Sequence, residues 1–406
     1  GGINPDHLSR HVRVLASDAF EGRAPATSGE EKTIAYVVDE LKKAGVQPGG
    51  ERGTWTQDVP LVRAQVEGAV TASLRIGGEA QTLTNGDDVV LQSLSPVDRV
   101  ALVDAPLVFV GYGITAPERG WDDYKGADLK GKVAVVLVND PDFETDTPGA
   151  FDGRAVTYYG RWTYKYEELA RQGAAGVLIV HETAPAAYGW ATVRASGLSP
   201  VFDIPRPDAA TFHTLLRGWM QRDLAVSLFK RAGLDFEVEK RRAQTKAFTP
   251  VPLGDATLSA AFDVERDQVV TRNVIGRLEG AQRPDETVVY SAHWDADGSG
   301  DTVRHGAVDN ATGVAAVIEL ARMFAAGPRP QRTLLFMALT AEEKGLQGAT
   351  FYAAKPLVPL AKTAAVLNIE MLSPDGPTRD IASWGKGRVS LENDLKRVAE
   401  AHGRRD

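Results

Sequence analysis

The sequence predicts an α/β protein built on a mostly parallel mixed sheet flanked by helices. Three observations lead there. Apolar runs of strand length recur at short intervals in the last third, a helical stretch stands between two of them, and a separate strand, helix, strand pattern lies mid-chain. Taken in order, the first element is a helix over residues 30–44. Ser28-x-x-Glu31 reads as a capping box, Ile34, Val37, Val38 and Leu41 share one face, and Gly45 stops it. Residues 55–110 are rich in strands and turns without helical periodicity, with strands expected at 70–76 and 107–110. Residues 133–138 read as a buried strand, 164–172 as an amphipathic helix and 176–180 as a second buried strand, together a small α/β unit. The charged segment 236–246, followed by Pro250 and Pro252, reads as the exit from that unit. In the last third, 287–292 is a strand, 312–326 a helix ended by Gly327, and 332–339 and 363–369 are strands.

Composition narrows the function. With 406 residues, 43% hydrophobic and 25% charged, the chain is expected to be a soluble globular protein of two or three domains. No apolar run approaches the roughly 20 residues of a membrane span. A net charge of -8 argues against nucleic acid as a partner, because neutralising phosphates takes a basic face. The absence of cysteine excludes disulfides, iron–sulfur clusters and thiolate zinc, leaving His, Asp and Glu as strong metal ligands. The chain opens Gly1-Gly2-Ile3 with no basic-then-apolar leader, which reads as cytosolic or as secreted with the leader removed.

Chemistry gathers where the last strands end. His293 and Asp295 fall just past the first strand, Glu342 and Glu343 past the second and Glu370 past the third, while Asp309 precedes the helix that starts near Thr312. Open α/β sheets bind ligands outside the carboxyl ends of their strands, so these groups are expected to converge on one edge. Two divalent ions about 3.5–4 Å apart need a bridging carboxylate, a role that suits Asp309. His293 would ligate through one ring nitrogen while Asp295 accepts the other N–H and fixes the tautomer. The side chains of adjacent Glu342 and Glu343 diverge, so one would ligate and the other serve as general base. Each piece has an ordinary account as well. An acidic pair is commonly a solvated loop, an Asp before a helix a cap, and a His at a strand end a hydrogen-bonded structural group. Agreement of order and strand-end placement turns the balance toward function. His305 is read either as a substrate contact or as a loop residue. Tyr158, Tyr159, Trp162, Tyr164 and Tyr166 read as a cleft lining or as core packing.

At these residues the chain resembles the co-catalytic zinc exopeptidases, which include bacterial leucyl and aminopeptidase Y-type enzymes and the glutamate carboxypeptidase II-like proteins. The stretches that carry the likeness are Ser291-Ala292-His293-Trp294-Asp295, Gly306 to Gly313, Thr340 to Leu346, Leu367 to Met371 and the opening Leu15 to Arg23. The resemblance implies zinc, two ions per complete site, and a peptide substrate. It implies that His293 and Glu370 hold one ion and Glu343 the other, with Asp309 bridging, Glu342 as base and Asp295 behind the imidazole. It also implies a periplasmic or extracellular location. Gly111 to Ile114, Leu129 to Val133 and Gly173 to Val177 resemble a protease-associated domain, a smaller β-rich α/β insertion. The expected division is 1–86 for the N-terminal part of the peptidase domain, 87–247 for the insertion and 248–406 for the metal-site part.

Two departures shape further expectations. The family usually has Asp where this chain has Glu370, and the extra methylene would push the carboxylate outward unless the backbone retreats. The family's last ligand is a downstream His, whereas His402 sits in a different context. The chain is therefore expected to be C-terminally incomplete, with the second ion short of a ligand. The activity expected is that of a zinc metallopeptidase, specifically an aminopeptidase. Alternatives are a metallo-carboxypeptidase or deacylase of related fold, and a non-catalytic binding homologue.

Overall fold

The computed structural model describes residues 2–145, 149–298, 303–383 and 389–405. In chain order its main elements are α1 (Pro5–Leu15), α2 (Ser28–Ala44), β1 (Thr56–Ile76), β2 (Val89–Gln92), β3 (Arg99–Phe109), β4 (Val133–Leu137), α3 (Trp162–Arg171), β5 (Gly176–His181), β6 (Leu216–Gln221), α4 (Arg222–Arg231), α5 (Phe236–Ala243), β7 (Val251–Leu278), β8 (Arg283–His293), α6 (Thr312–Ala326), β9 (Arg332–Leu339), α7 (Gln347–Ala354), β10 (Thr363–Asn368) and α8 (Leu391–Ala401). None of these helices is long and apolar enough to cross a membrane.

One mixed sheet runs in the order β10-β8-β9-β7-β3-β4-β5-β6-β2, with β1 branching from β7. It holds two parallel sets of strands, and the last strand, β2, pairs antiparallel with β6. β8 pairs in parallel with β9 and β10, and β3, β4, β5 and β6 pair in parallel in turn. Between them lies β7, 28 residues long and antiparallel to β9, β3 and β1. The sequence reading passes over β7, although Ala256, Leu258, Ala260, Phe262 and Val264 alternate into the core at the strand period of two. Pro250 and Pro252 mask it, yet Pro252 is only the second residue of β7, a position where a missing N–H is tolerated.

Two other local expectations are corrected. The segment read as an exit folds as α5, capped by Asp235, whose carboxylate accepts from Val238 N at 2.9 Å. The helix buries Phe236, Glu239, Lys240 and Ala243, and the Lys240 ammonium meets Glu182 at 2.9 Å. The capping box at α2 does not form either: Thr27 is the cap residue, and the Ser28 hydroxyl donates instead to Glu21. Gly45 ends that helix in the left-handed region, as expected.

The core near the strand ends is built by α2 and α6 lying on β8 and β9. Ile34, Val37 and Leu41 pack with Val314, Val317, Ile318, Leu334 and Phe336. Each such side chain removed from water contributes roughly 1.5–3 kcal/mol, which fixes the sheet edge against the helices. At β4 all five residues are buried, as a strand covered on both faces requires.

Candidate metal centre

His293 is the last residue of β8 and lies at the floor of the site, only 2% exposed. Its Nε2 faces Asp309 Oδ1 at 3.1 Å, Glu370 Oε2 at 3.3 Å and Glu342 Oε2 at 3.7 Å. Nδ1 turns the other way, 3.0 Å from the Asp295 carbonyl oxygen and 3.5 Å from its carboxylate. The Asp295 carboxylate also reaches across to the end of the neighbouring strand, where its oxygens accept the backbone N–H groups of Glu342 at 3.0 Å and Glu343 at 3.2 Å. One buried side chain thus couples the ends of β8 and β9.

Glu370 reaches the imidazole despite its extra methylene. Asn310 Nδ2 and Asn368 Nδ2 donate to its two oxygens at 2.9 and 2.7 Å. Asn310 also donates to the Ile369 carbonyl at 2.9 Å, so it ties the segment after Asp309 to the end of β10. The ligand atoms of His293, Asp309 and Glu370 form one group within 4.8 Å of one another, and those of His293, Glu342 and Glu343 form another. Both include the single imidazole. Among the described residues His402 joins neither group.

Electrostatics sharpen the picture. Burial alone would lower the pKa of His293, but the carboxylates of Asp295, Asp309 and Glu370 more than offset it, and the imidazole is raised. Burial, then neighbouring acids, push Glu342 up to about 7 and Glu343 up to about 8, although His293 pulls both down. Five carboxylates around one imidazole are costly unless cations join them. One imidazole nitrogen, several carboxylate oxygens and no thiolate make a donor set that fits zinc. The fit is also geometric, since the imidazole is enclosed while the Asp309 side chain is 49% exposed and leaves an approach from solvent.

Other residues fall into place around this cluster. His305 Nε2 lies 2.7 Å from the Asp18 carboxylate. Of the aromatic group, Tyr159, Tyr164 and Tyr166 are buried, with Tyr158 packed edge-on against Tyr159 and Tyr164. Trp162 instead lines a cleft of about 320 Å³ together with Arg161, Tyr188, Leu346, Glu342 and Glu343. Sequence reasoning gives no separate role to Arg23 or Asn310. Arg23 is fully buried and donates to the carbonyls of Trp294 and Gly306, each at 2.8 Å. The only signal for it is its place in the opening stretch Leu15 to Arg23.

An imidazole and carboxylates gathered at the carboxyl ends of parallel strands are a donor set able to hold a divalent metal. Residues 273–406, about a third of the chain, match the model of Peptidase family M28. A probable zinc metalloprotease of Pyrenophora teres f. teres is 36% identical over 132 residues, 30% of this chain and 28% of that protein. The aminopeptidase NAALADL1 of Mus musculus is 35% identical over 105 residues, 24% of this chain and 13% of that protein. The chain thus spans less than a third of the length of either curated relative. Among solved structures, the zinc aminopeptidase BSAP from Bacillus subtilis aligns with a TM-score of 0.48 at 17% identity, covering 99% of this chain and 79% of that one. The aminopeptidase from Aneurinibacillus sp. strain AM-1 aligns with a TM-score of 0.48 at 20% identity, covering 91% of this chain and 70% of that one.

Proposed function

We propose that the chain is a metal-dependent exopeptidase, an aminopeptidase that removes N-terminal residues from peptides. The observation that carries this reading is the convergence on His293 Nε2 of three carboxylates from three separate segments, at 3.1, 3.3 and 3.7 Å. In this reading His293 and Glu370 would hold one ion and Glu343 the other, with Asp309 placed to serve both. Bound zinc supplies Lewis-acid polarisation of the scissile carbonyl and lowers the pKa of water to about 7. Glu342 takes the proton from the attacking water and returns it to the leaving amine. Burial raises its pKa above the ordinary carboxylate value in the metal-free site, which favours its ability to hold a proton between the two transfers. Asp295 keeps Nδ1 protonated and Nε2 free, and its grip on the Glu342 and Glu343 amides holds the base at a set distance from the imidazole. The cleft beside Trp162 and Tyr188 gives the substrate chain a place to lie next to Glu342. In this reading residues 87–247 are an inserted protease-associated domain, and the location outside the cytoplasm carries over from the resemblance.

The test joins metal content with hydrolysis of an aminoacyl-arylamide panel and its N-blocked counterparts. Tightly bound zinc with cleavage of free-amine substrates alone is the expected result. Cleavage restricted to N-blocked or C-terminal substrates would move the protein to the carboxypeptidase or deacylase branch, and zinc without any hydrolysis to a binding role.

A further inference from the structure

We propose that Arg23 is a positioning residue of the metal centre, whose guanidinium ties the N-terminal turn to the two segments that carry the metal donors. This rests on the metal-binding part of the proposed function, and it places residues 15–24 in a site whose matched family segment begins only at residue 273.

The Arg23 side chain is fully buried, yet among the described residues it forms no ion pair. Instead it donates to four backbone carbonyls: Nε to Trp294 at 2.8 Å, Nη1 to Leu15 at 2.6 Å and His305 at 2.8 Å, and Nη2 to Gly306 at 2.8 Å. Trp294 stands between His293 and Asp295, and His305 and Gly306 lead into Asp309. One planar group therefore fixes the spacing between the segments that carry the imidazole and the proposed bridging carboxylate. Only a guanidinium presents enough donors in a rigid fork for this; a lysine ammonium radiates three donors from a single atom. The packing is built around the contact. A Cβ at Gly306, which has φ +53°, would lie 2.7 Å from Arg23 Nη2, and one at Gly22, which has φ +71°, would lie 2.6 Å from the Arg304 carbonyl oxygen. Arg23 itself adopts φ 51°, in the left-handed region that costs a non-glycine residue energy. Filling a core would need neither the charge nor that backbone. The nearby carboxylates of Asp295, Asp309 and Glu343 favour the charged form, against the burial that lowers its pKa to about 10.

The experiment measures zinc affinity by competition with a chromogenic chelator for the whole chain, for Arg23→Met and for Arg23→Lys. The exposed Arg10→Met serves as control. Both Arg23 variants are expected to bind zinc about 10–100-fold more weakly, the range seen when a group supporting metal ligands is removed, with Lys failing to rescue. A purely structural role would lower the melting temperature of the zinc-free variants and leave zinc affinity unchanged, and that result overturns the proposal. Hydrogen exchange on the unmodified protein needs no variant to fold. Zinc is expected to slow exchange over residues 15–24 together with 293–298 and 303–311, and an N-terminal segment indifferent to zinc also overturns the proposal. Failure of the unmodified chain to bind zinc would remove the metal reading and this inference together, whereas normal binding in both Arg23 variants removes this inference alone.

Discussion

Two regions of this molecule bury charge and balance it in opposite ways. In the middle segment the Lys165 ammonium is fully buried and donates to the carbonyls of Tyr112 at 2.5 Å and Asn139 at 2.8 Å. Burial lowers its pKa to about 7, while Asp140 and Asp123 favour its charged form. Those acids are satisfied in turn, Asp123 by Ile114 N and Trp121 Nε1, each at 2.9 Å, and Asp140 by the Thr157 hydroxyl at 2.9 Å. At the strand ends the count is one-sided. Asp295, Asp309, Glu342, Glu343 and Glu370 surround one imidazole, and among the described residues no Lys or Arg forms an ion pair with any of them. A buried cation whose hydrogen bonds and neighbouring acids are all satisfied within its own segment is explained by folding. A partly open cluster with an excess of one sign is explained by what it binds.

The widest separation between the two regions should come from the proposed base. Glu342→Gln keeps the shape and leaves His293, Asp309, Glu343 and Glu370 as donors, so it should retain zinc while lowering kcat by about 10²–10⁴. Asp309→Ala should lose zinc along with activity. Metal analysis by mass spectrometry beside steady-state kinetics separates the two, and unchanged turnover in Glu342→Gln would remove that residue from the mechanism. Next in size is Lys165→Met, which strips the cation from a region that needs no ligand. Breaking such a buried set should cost about 3 kcal/mol or more in denaturant unfolding and leave zinc affinity where it was. A large loss of zinc binding would blur the distinction between the two regions. Smaller again is Asp295→Asn. The amide can accept from only one of the Glu342 and Glu343 N–H groups and no longer supports the imidazole with charge, so zinc affinity should fall about 10–100-fold in the same chelator competition.

Residues near strand ends are the most legible in the sequence, because periodicity locates the strands and Asp, Glu and His stand just beyond them. The structure forms the helix Thr312–Ala326 and the strand Arg332–Leu339 with the bounds the pattern gives. The chemistry that eludes the sequence comes from long-range geometry. Nothing local marks Arg23 as reaching Trp294 and Gly306, or Asp295 as holding the amides of Glu342 and Glu343. β7 is hidden for a different reason: two prolines suppress an alternation that is present in the residues, and its pairing to β1, β3 and β9 supplies what local propensity does not. The charged surface of α5 conceals a buried face made by Phe236, Glu239, Lys240 and Ala243, two of them charged.

The subtlest test of the contrast is its pH dependence. Glu342 and Glu343 have pKa values raised from 4.5 to about 7 and about 8. In the zinc-free fold they hold protons that the unfolded chain has released, so their contribution to stability falls as pH rises from about 4.5 through about 8. Zinc takes the place of those protons. The rise in melting temperature on adding zinc should therefore grow steadily from about pH 5 to about pH 8. Lys165 works with the opposite sign. Its pKa is lowered from 10.5 to about 7, so above about pH 7 the unfolded chain binds a proton that the fold has given up, and stability rises with pH over that interval. Lys165→Met should abolish this upper rise and leave the zinc-dependent increment at lower pH intact. Melting curves of both proteins with zinc and with chelator across roughly pH 5–10 would resolve the two contributions, and a zinc increment independent of pH would show that protons and cations do not compete for the same carboxylates.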